Sequence, residues 1–381
     1  MYLRNLADIL LYSATKYPVV TLTGPRQSGK TTLVRALFSD KKYVTLEDLD
    51  NRSFAEQDPR GFLNIYKNGL IIDEAQHVPS LFSYIQSHVD RSHIMGEFIL
   101  TGSQHFLLTE RISQSLAGRA AILQLLPCTA RELGIASETE LYNTLWKGFY
   151  PAVYDRDINP TFFYKSYLNT YVERDVRTLS AIKDLSKFRT FLQMCAGRIG
   201  QLVNMTSLGN DCGIDQETVK AWLSILESSY ILFLLKPHHQ NFNKRLTKQP
   251  KLYFYDTGLA AYLLNIEDPN VLKFHFSRGA LFENYVAIEL IKKRFNQGMD
   301  HSLYFWRDHH GHEVDFIKDN GAILVPIEVK SSETLSSTLF DGLNYWQKLS
   351  GVEHGYLVYG GIEDQMRSHQ TVVPWFNVGM L

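Results

Sequence analysis

Val19–Phe38, VVTLTGPRQSGKTTLVRALF, runs from a β-rich segment through a glycine loop into a row of helix formers. Strand, loop and helix in that order are what the apolar periodicity predicts. The spacing Gly24-x-x-x-x-Gly29-Lys30-Thr31 is the Walker A pattern. Glycines let consecutive backbone N–H groups face phosphate oxygens, and the N-terminus of the following helix favours negative charge. The expected nucleotide cradle is Gly24, Pro25, Arg26, Gln27, Ser28, Gly29, Lys30, Thr31 and Thr32. Lys30 is expected to reach the β- and γ-phosphates of ATP, and Thr31 to hold Mg2+ through its hydroxyl.

Working outward, Asn68–Glu74 is a turn and a short apolar run that ends in two carboxylates, and it resembles a Walker B strand. Asp73 is the expected Mg2+ anchor, and Glu74 the group that orients and polarises the attacking water. Glu97–Ser103 is another apolar strand with small polar residues at its carboxyl end, where parallel α/β sheets keep their ligand sites. It resembles a sensor-1 strand, with Ser103 or Thr101 near the γ-phosphate; an ordinary strand leading into a polar turn is the alternative. In Ser115–Arg119 an arginine precedes the strand-like AILQLL. Arg119 either stabilises transition-state charge, in its own site or a neighbouring subunit's, or is a surface residue.

GPRQSGKTT, LIIDEAQ, ILTGS and SLAGR, in that order, resemble the AAA-type P-loop ATPases of bacteria and archaea in which a C-terminal domain of unknown function follows the ATPase. The resemblance extends to the later segments YVERDVR and EVDF. It implies an ATP-binding parallel-sheet core. One departure is Pro127–Leu133, where such proteins have a leucine and a hydroxyl residue after the proline. Within YVERDVR, the charged group Glu173, Arg174, Asp175 and Arg177 reads first as a salt-bridged helix end.

Farther along, helical patterns over 187–223 precede two β-rich runs, YILFLL and KLYFYD, which is the order of a winged helix-turn-helix. No carboxylate lies between Glu227 and Asp256, an interval that holds Lys236, His238, His239, Lys244, Arg245, Lys248 and Lys251. A wing there would be basic and able to meet nucleic-acid phosphates; a solvated hairpin is the alternative.

The helix expected from Arg278 carries Glu283 near its start, and two strands follow, Glu313–Ile317 and Val325–Lys330. Alternation puts Glu328 and Lys330 on one face, and hairpin pairing brings Asp315 to them. An Asp, a Glu-x-Lys and a helical Glu resemble the PD-(D/E)XK nuclease core. That resemblance implies Asp315 and Glu328 as Mg2+ ligands, Lys330 as the residue that orients or activates water, and Glu283 as a further ligand. The alternatives are a first-turn helix charge for Glu283 and an inactive core that binds nucleic acid or protein. His309, His310 and His312 read as loop residues, because no further zinc-type ligand lies at suitable spacing.

Composition sets the frame. The chain has 381 residues, 45% hydrophobic and 21% charged, which suits several packed domains and excludes disorder and coiled coil. Its net charge of −1 means that any nucleic-acid surface is local. Three scattered cysteines exclude a disulfide scaffold, and no apolar run is long enough for a bilayer, so a cytoplasmic location without membrane contact is expected. The expected organisation is α/β throughout: an ATPase core over 1–128, a helical connector or lid over 129–185, a winged-helix-like domain over 186–265, and a restriction-endonuclease-like domain over 270–381. The expected function is a Mg2+-dependent ATPase coupled to a region that binds or cuts DNA. The alternatives are a nucleotide-switched protein with an inactive platform, whose partner is a protein or nucleic acid, and a DNA-binding regulator without hydrolysis.

Overall fold

The computed structural model describes residues 2–66, 68–103, 115–172, 184–238, 247–321 and 323–381. The chain divides into two compact units. The first comprises Met1–Cys128, Ser228–Tyr230 and Phe295–Met299; the second comprises Thr129–Glu227, Ile231–Arg294 and Asp300–Leu381.

The first unit is built on five parallel strands: β1 (Val19–Thr23), β2 (Lys42–Thr45), β3 (Leu70–Asp73), β4 (Phe98–Gly102) and β5 (Ala120–Gln124). Their order across the sheet is β2-β3-β4-β1-β5. Because strand side chains alternate between faces, β1 sends Val19 to one side and Val20 and Leu22 to the other. Val19, Leu70, Ile72, Phe98 and Leu100 pack with Ile85 and Val89 of the helix Leu81–Ser92. Val20, Leu22, Ile71 and Ile99 pack with Leu6 and Leu10 near α1 (Ala7–Ala14) and with Leu33 and Val34 of α2 (Lys30–Leu37). Both faces are covered by helices, so the strands read as continuous apolar runs.

The second unit opens with a reciprocal cap: the Thr129 N–H donates to Glu132 Oε2 at 2.8 Å, and the Glu132 N–H to Thr129 Oγ1 at 3.1 Å. Short helices follow at Leu141–Lys147, Pro151–Asp155 and Pro160–Tyr167, the last capped by Asn159, whose Oδ1 accepts from the Phe162 N–H at 3.2 Å. Tyr150, Phe163, Tyr164 and Tyr167 form one aromatic cluster. The charged group Glu173, Arg174, Asp175 and Arg177 lies outside the described residues.

Helices Leu185–Ala196, Met205–Cys212 and Gln216–Ser228 then precede an antiparallel pair, β6 (Leu232–Leu235) and β7 (Lys251–Phe254). Asp215 caps the third helix, accepting from the Thr218 N–H at 2.9 Å and the Thr218 hydroxyl at 2.8 Å.

The remaining strands are β8 (Leu303–Arg307), β9 (Glu313–Asp319), β10 (Leu324–Lys330), β11 (Gly355–Tyr359), β12 (Gln365–Met366) and β13 (Gln370–Pro374). They form a mixed sheet in the order β12-β13-β11-β10-β9-β8. Trp346, from the helix Asp341–Ser350, packs with Trp306, Val314 and Ile317 on one part of that sheet. The helix Arg278–Phe295 buries Leu281, Phe282, Tyr285, Val286, Ile288 and Ile291. All three cysteines are buried. Among the described residues, no helix is long and apolar enough to cross a membrane.

Candidate active site

The phosphate loop leaves β1 at its carboxyl end. Gly24 has φ 146°, and a Cβ there would stand 2.1 Å from the Leu125 carbonyl oxygen, so the loop begins where only glycine fits. Gln27 and Gly29 take φ 61° and 95°, which turns the backbone into the N-terminus of α2. Lys30 folds its ammonium over the loop, donating to the Gly24 and Pro25 carbonyls at 2.9 and 2.8 Å. Ser28 and Pro25 are buried, Gln27 and Thr32 are exposed, and Arg26 reaches Glu47 at 3.5 Å. From the N-terminal segment, Arg4 braces the loop from behind: its guanidinium donates to the Ser28 and Leu126 carbonyls, each at 2.6 Å.

Asp73 ends β3 beside this loop. Its Oδ2 accepts from the Thr31 hydroxyl at 3.0 Å and from the Tyr43 hydroxyl at 2.7 Å, and its Oδ1 accepts from the Thr101 hydroxyl. Burial and the neighbouring Asp73 carboxylate raise the Tyr43 phenol well above its ordinary value, so Tyr43 stays a donor. Glu74 follows in the left-handed region at φ 53°, an outlier of the kind that clusters at functional sites. Its Oε2 accepts from the Ser103 hydroxyl at 3.2 Å and from the Gln76 amide. Thus Lys30, Thr31, Asp73, Glu74, Thr101 and Ser103 come together, with Thr101 against Asp73 and Ser103 against Glu74. A hydroxyl beside a carboxylate, at the N-terminus of a helix, is a hard-oxygen set that fits Mg2+ with a nucleotide phosphate. Sequence reading missed Tyr43, Gln76 and Arg4. Only strand order reveals Tyr43: β2 lies next to β3, where the Thr45↔Asp73 register sets the two strands side by side.

Arg119 is elsewhere. It precedes β5, whose Ala120 pairs with Val19 at the amino end of β1, while the phosphate loop leaves the carboxyl end after Thr23↔Gln124. Four residues of strand, roughly 13 Å at the extended rise, separate those ends. Arg119 instead forms a two-point pair with Asp90 of the helix Leu81–Ser92, at 2.5 and 2.9 Å. Arg119 thus lies away from the phosphate loop of its own sheet.

A second constellation lies on the other unit. Pairs such as Ile327↔Phe316 fix the β9–β10 register, and its continuation sets Asp315 opposite Glu328. Lys330 Nζ lies 2.6 Å from Glu328 Oε1 and 3.9 Å from Asp315 Oδ2, and Asp315 accepts from the Val329 N–H at 2.8 Å. Burial raises the Glu328 carboxyl, with Asp315 adding to the effect against Lys330.

Glu283 departs from expectation. The helix begins at Arg278, which puts Glu283 in the second turn and removes the first-turn reading. Its Oε1 accepts from Lys251 Nζ at 3.0 Å and from the Tyr253 hydroxyl at 2.5 Å. Burial raises its carboxyl in spite of Lys251. Lys251 also pairs with Glu313. His238 is buried and lies 3.2 Å from Asp319. Lys251 and His238 therefore do not belong to an exposed basic wing, while His239, Lys244 and Arg245 lie outside the described residues. His312 donates from Nδ1 to the Asp308 carboxylate at 3.0 Å and stacks on Tyr345. Among the described residues, no cluster of three His, Cys, Asp or Glu has metal-holding geometry.

Residues 16–134 match the family model of an AAA domain, 138–270 that of a domain of unknown function (DUF8612), and 278–378 that of a domain of unknown function (DUF4143). An uncharacterized protein of Mycobacterium tuberculosis is 31% identical over 336 residues, covering 87% of this chain and 75% of that protein. The chain belongs to this family of AAA-domain proteins. Another relative of this AAA protein, an uncharacterized protein of Haemophilus influenzae, is 21% identical over 76% of this chain and 78% of its own length. Among solved structures, a Walker-type ATPase of Pyrococcus abyssi is similar with a TM-score of 0.39 and 14% identity, over 68% of this chain and 94% of that one. The first unit is an AAA-type ATPase core with a parallel sheet.

Proposed function

We propose that this AAA protein binds ATP with Mg2+ at the Gly24–Thr32 loop and hydrolyses it. The observation that carries the reading is the pairing of Asp73 with Thr31 at 3.0 Å while Glu74 sits against Ser103 at 3.2 Å. When bound, Mg2+ supplies Lewis-acid stabilisation of phosphate charge. Lys30 turns from the loop carbonyls to the phosphates, Thr31 and Asp73 hold the metal side, and Glu74 orients the attacking water from the edge of β3. Ser103 holds the Glu74 carboxylate in place. Arg119, at the amino edge of the sheet, serves a neighbouring subunit. Lys30→Ala is expected to abolish nucleotide binding, and Glu74→Gln to keep binding and stop phosphate release; unchanged turnover in both variants sinks the site.

Nucleotide turnover is coupled, in this reading, to contact between the second unit and nucleic acid in the cytoplasm. The support is the helix-helix-helix-strand-strand order of a winged helix and the acid-free interval 228–255. DNA affinity is expected to fall steeply with salt, and neutralising Lys244 and Arg245 to flatten that slope by about two phosphate contacts. A salt-independent affinity removes the DNA reading. A second reading, metal-dependent phosphodiester cleavage by Asp315, Glu328 and Lys330 on a PD-(D/E)XK-like core, is favoured by their common face, Asp315 lying opposite Glu328 when the β9–β10 register is continued. It requires cutting under Mg2+ or Mn2+ that disappears in Asp315→Ala. Without cutting, the second unit is a binding platform.

A further inference from the structure

A divalent ion at the C-terminal cluster has to share Glu283 with groups already there. Lys251 and Tyr253 alternate along β7 onto one face, and both donate to the same oxygen, Glu283 Oε1. On the other side, Gly200 takes φ 72°, and a Cβ added to it would stand 3.2 Å from Glu283 Oε2, so a side chain there would crowd the second oxygen. Mg2+ bound to Oε1 at its usual ~2.1 Å, with Lys251 Nζ 3.0 Å from that oxygen, puts a divalent and a monovalent cation at most about 5 Å apart. Lys251 cannot swing away into water. It is 2% exposed, its ammonium also pairs with Glu313, and it lies 5.5 Å over the Phe305 ring. Asn284, the next residue on the helix, pins β7 as well: its Oδ1 accepts from the Phe254 N–H at 2.6 Å, and its Nδ2 donates to the Phe254 carbonyl at 2.8 Å. Glu283 Oε1, held by both Lys251 and Tyr253, therefore does not fit a metal shell.

We infer that Lys251 is a built-in cation of this cluster, supplying from β7 the positive charge that the nuclease resemblance assigns to a metal ion at Glu283. Glu283 then serves as the bolt between β7 and the helix Arg278–Phe295. The cluster contains Glu283, Glu313, Asp315 and Glu328, balanced from two sides: Lys251 serves Glu283 and Glu313, and Lys330 serves Asp315 and Glu328. Arg307 adds a third positive contact, at 2.9 Å from Glu313. A buried carboxylate keeps its charge only when paired, and a tethered ammonium does this without an ion to lose. The inference goes beyond the ATPase reading and does not depend on it.

The test is Mn2+ uptake by the nucleotide-free full-length chain, read by electron paramagnetic resonance of the free ion. Glu283→Gln is expected to leave uptake unchanged. Lys251→Met leaves Glu283 without its cation and Glu313 with Arg307 alone, and is expected to raise Mn2+ affinity at least about tenfold, a gain that Lys251→Met/Glu283→Gln loses. Loss of wild-type uptake in Glu283→Gln overturns the inference, as does a folded Lys251→Met chain that gains nothing. Should Lys251→Met fail to fold, the Glu283→Gln comparison decides alone, because that variant keeps the Lys251–Glu313 pair.

Discussion

Asp73 accepts three hydroxyls, from Thr31, Tyr43 and Thr101, and the proposed function gives them different fates. In that proposal Thr31 turns to the metal, whereas Tyr43 and Thr101 remain to aim the carboxylate. A hydrogen bond to a charged acceptor contributes about 1.5–3 kcal/mol. Tyr43→Phe is therefore expected to raise the Mg2+ concentration for half-maximal turnover about tenfold while leaving nucleotide affinity measured in EDTA within about twofold. Equal changes in both measurements indicate a general loosening of the loop, against the aiming role. That Lys30 and Thr31 lie at the phosphate loop and Asp73 and Glu74 at a strand end is legible in the sequence, because local backbone geometry is what spacing encodes. That Tyr43 meets Asp73 is not: the two stand 30 residues apart, and only the β2-β3 neighbourhood brings them together.

At the scale of elements, the alternation of β10 correctly put Glu328 and Lys330 on one face, because a period of two is a property of the strand itself. The same reasoning failed for β7. Lys251 reads as a basic residue beside a polar loop, and nothing within its own strand announces the carboxylates of the helix Arg278–Phe295 and β9 that bury it. The close approach of β1 and β5 gives another element-scale prediction. Gly24→Ala must move the Leu125 carbonyl or distort a loop residue at φ 146°, so both nucleotide affinity and melting temperature should fall; a variant with wild-type values for both excludes the contact.

The β9–β10 hairpin gives a pH prediction. Glu328 is raised to about 8, chiefly by burial, so above the unfolded carboxyl range the folded chain binds more protons than the unfolded one. Its contribution is thus fully present at low pH and is lost as pH rises toward 8, with a slope of at most about 1.4 kcal/mol per pH unit. Glu328→Gln should flatten the fall in denaturation midpoint between about pH 5 and 8. Parallel curves for the two proteins rule out Glu328 as the titrating group.

For the whole molecule, the near-zero net charge averages regions of different kinds: a carboxylate pair at the phosphate loop, an acid-free interval, and a carboxylate cluster with its own lysines. Sequence order could list these regions but not say which end of a sheet each one faces, and that is what decides Arg119. Because it precedes β5 while the loop follows β1 in the parallel register, the role proposed for Arg119 is on another copy of the chain. Arg119→Ala should then bind nucleotide and fail to turn it over. Mixed with Glu74→Gln, which is also inactive, it should recover activity, since the Arg119→Ala copy keeps Glu74 and receives Arg119 from its neighbour. Turnover by Arg119→Ala alone at the wild-type rate, or no recovery in the mixture at concentrations where the two variants associate, removes the role across subunits and leaves the Asp90 pair as a surface contact.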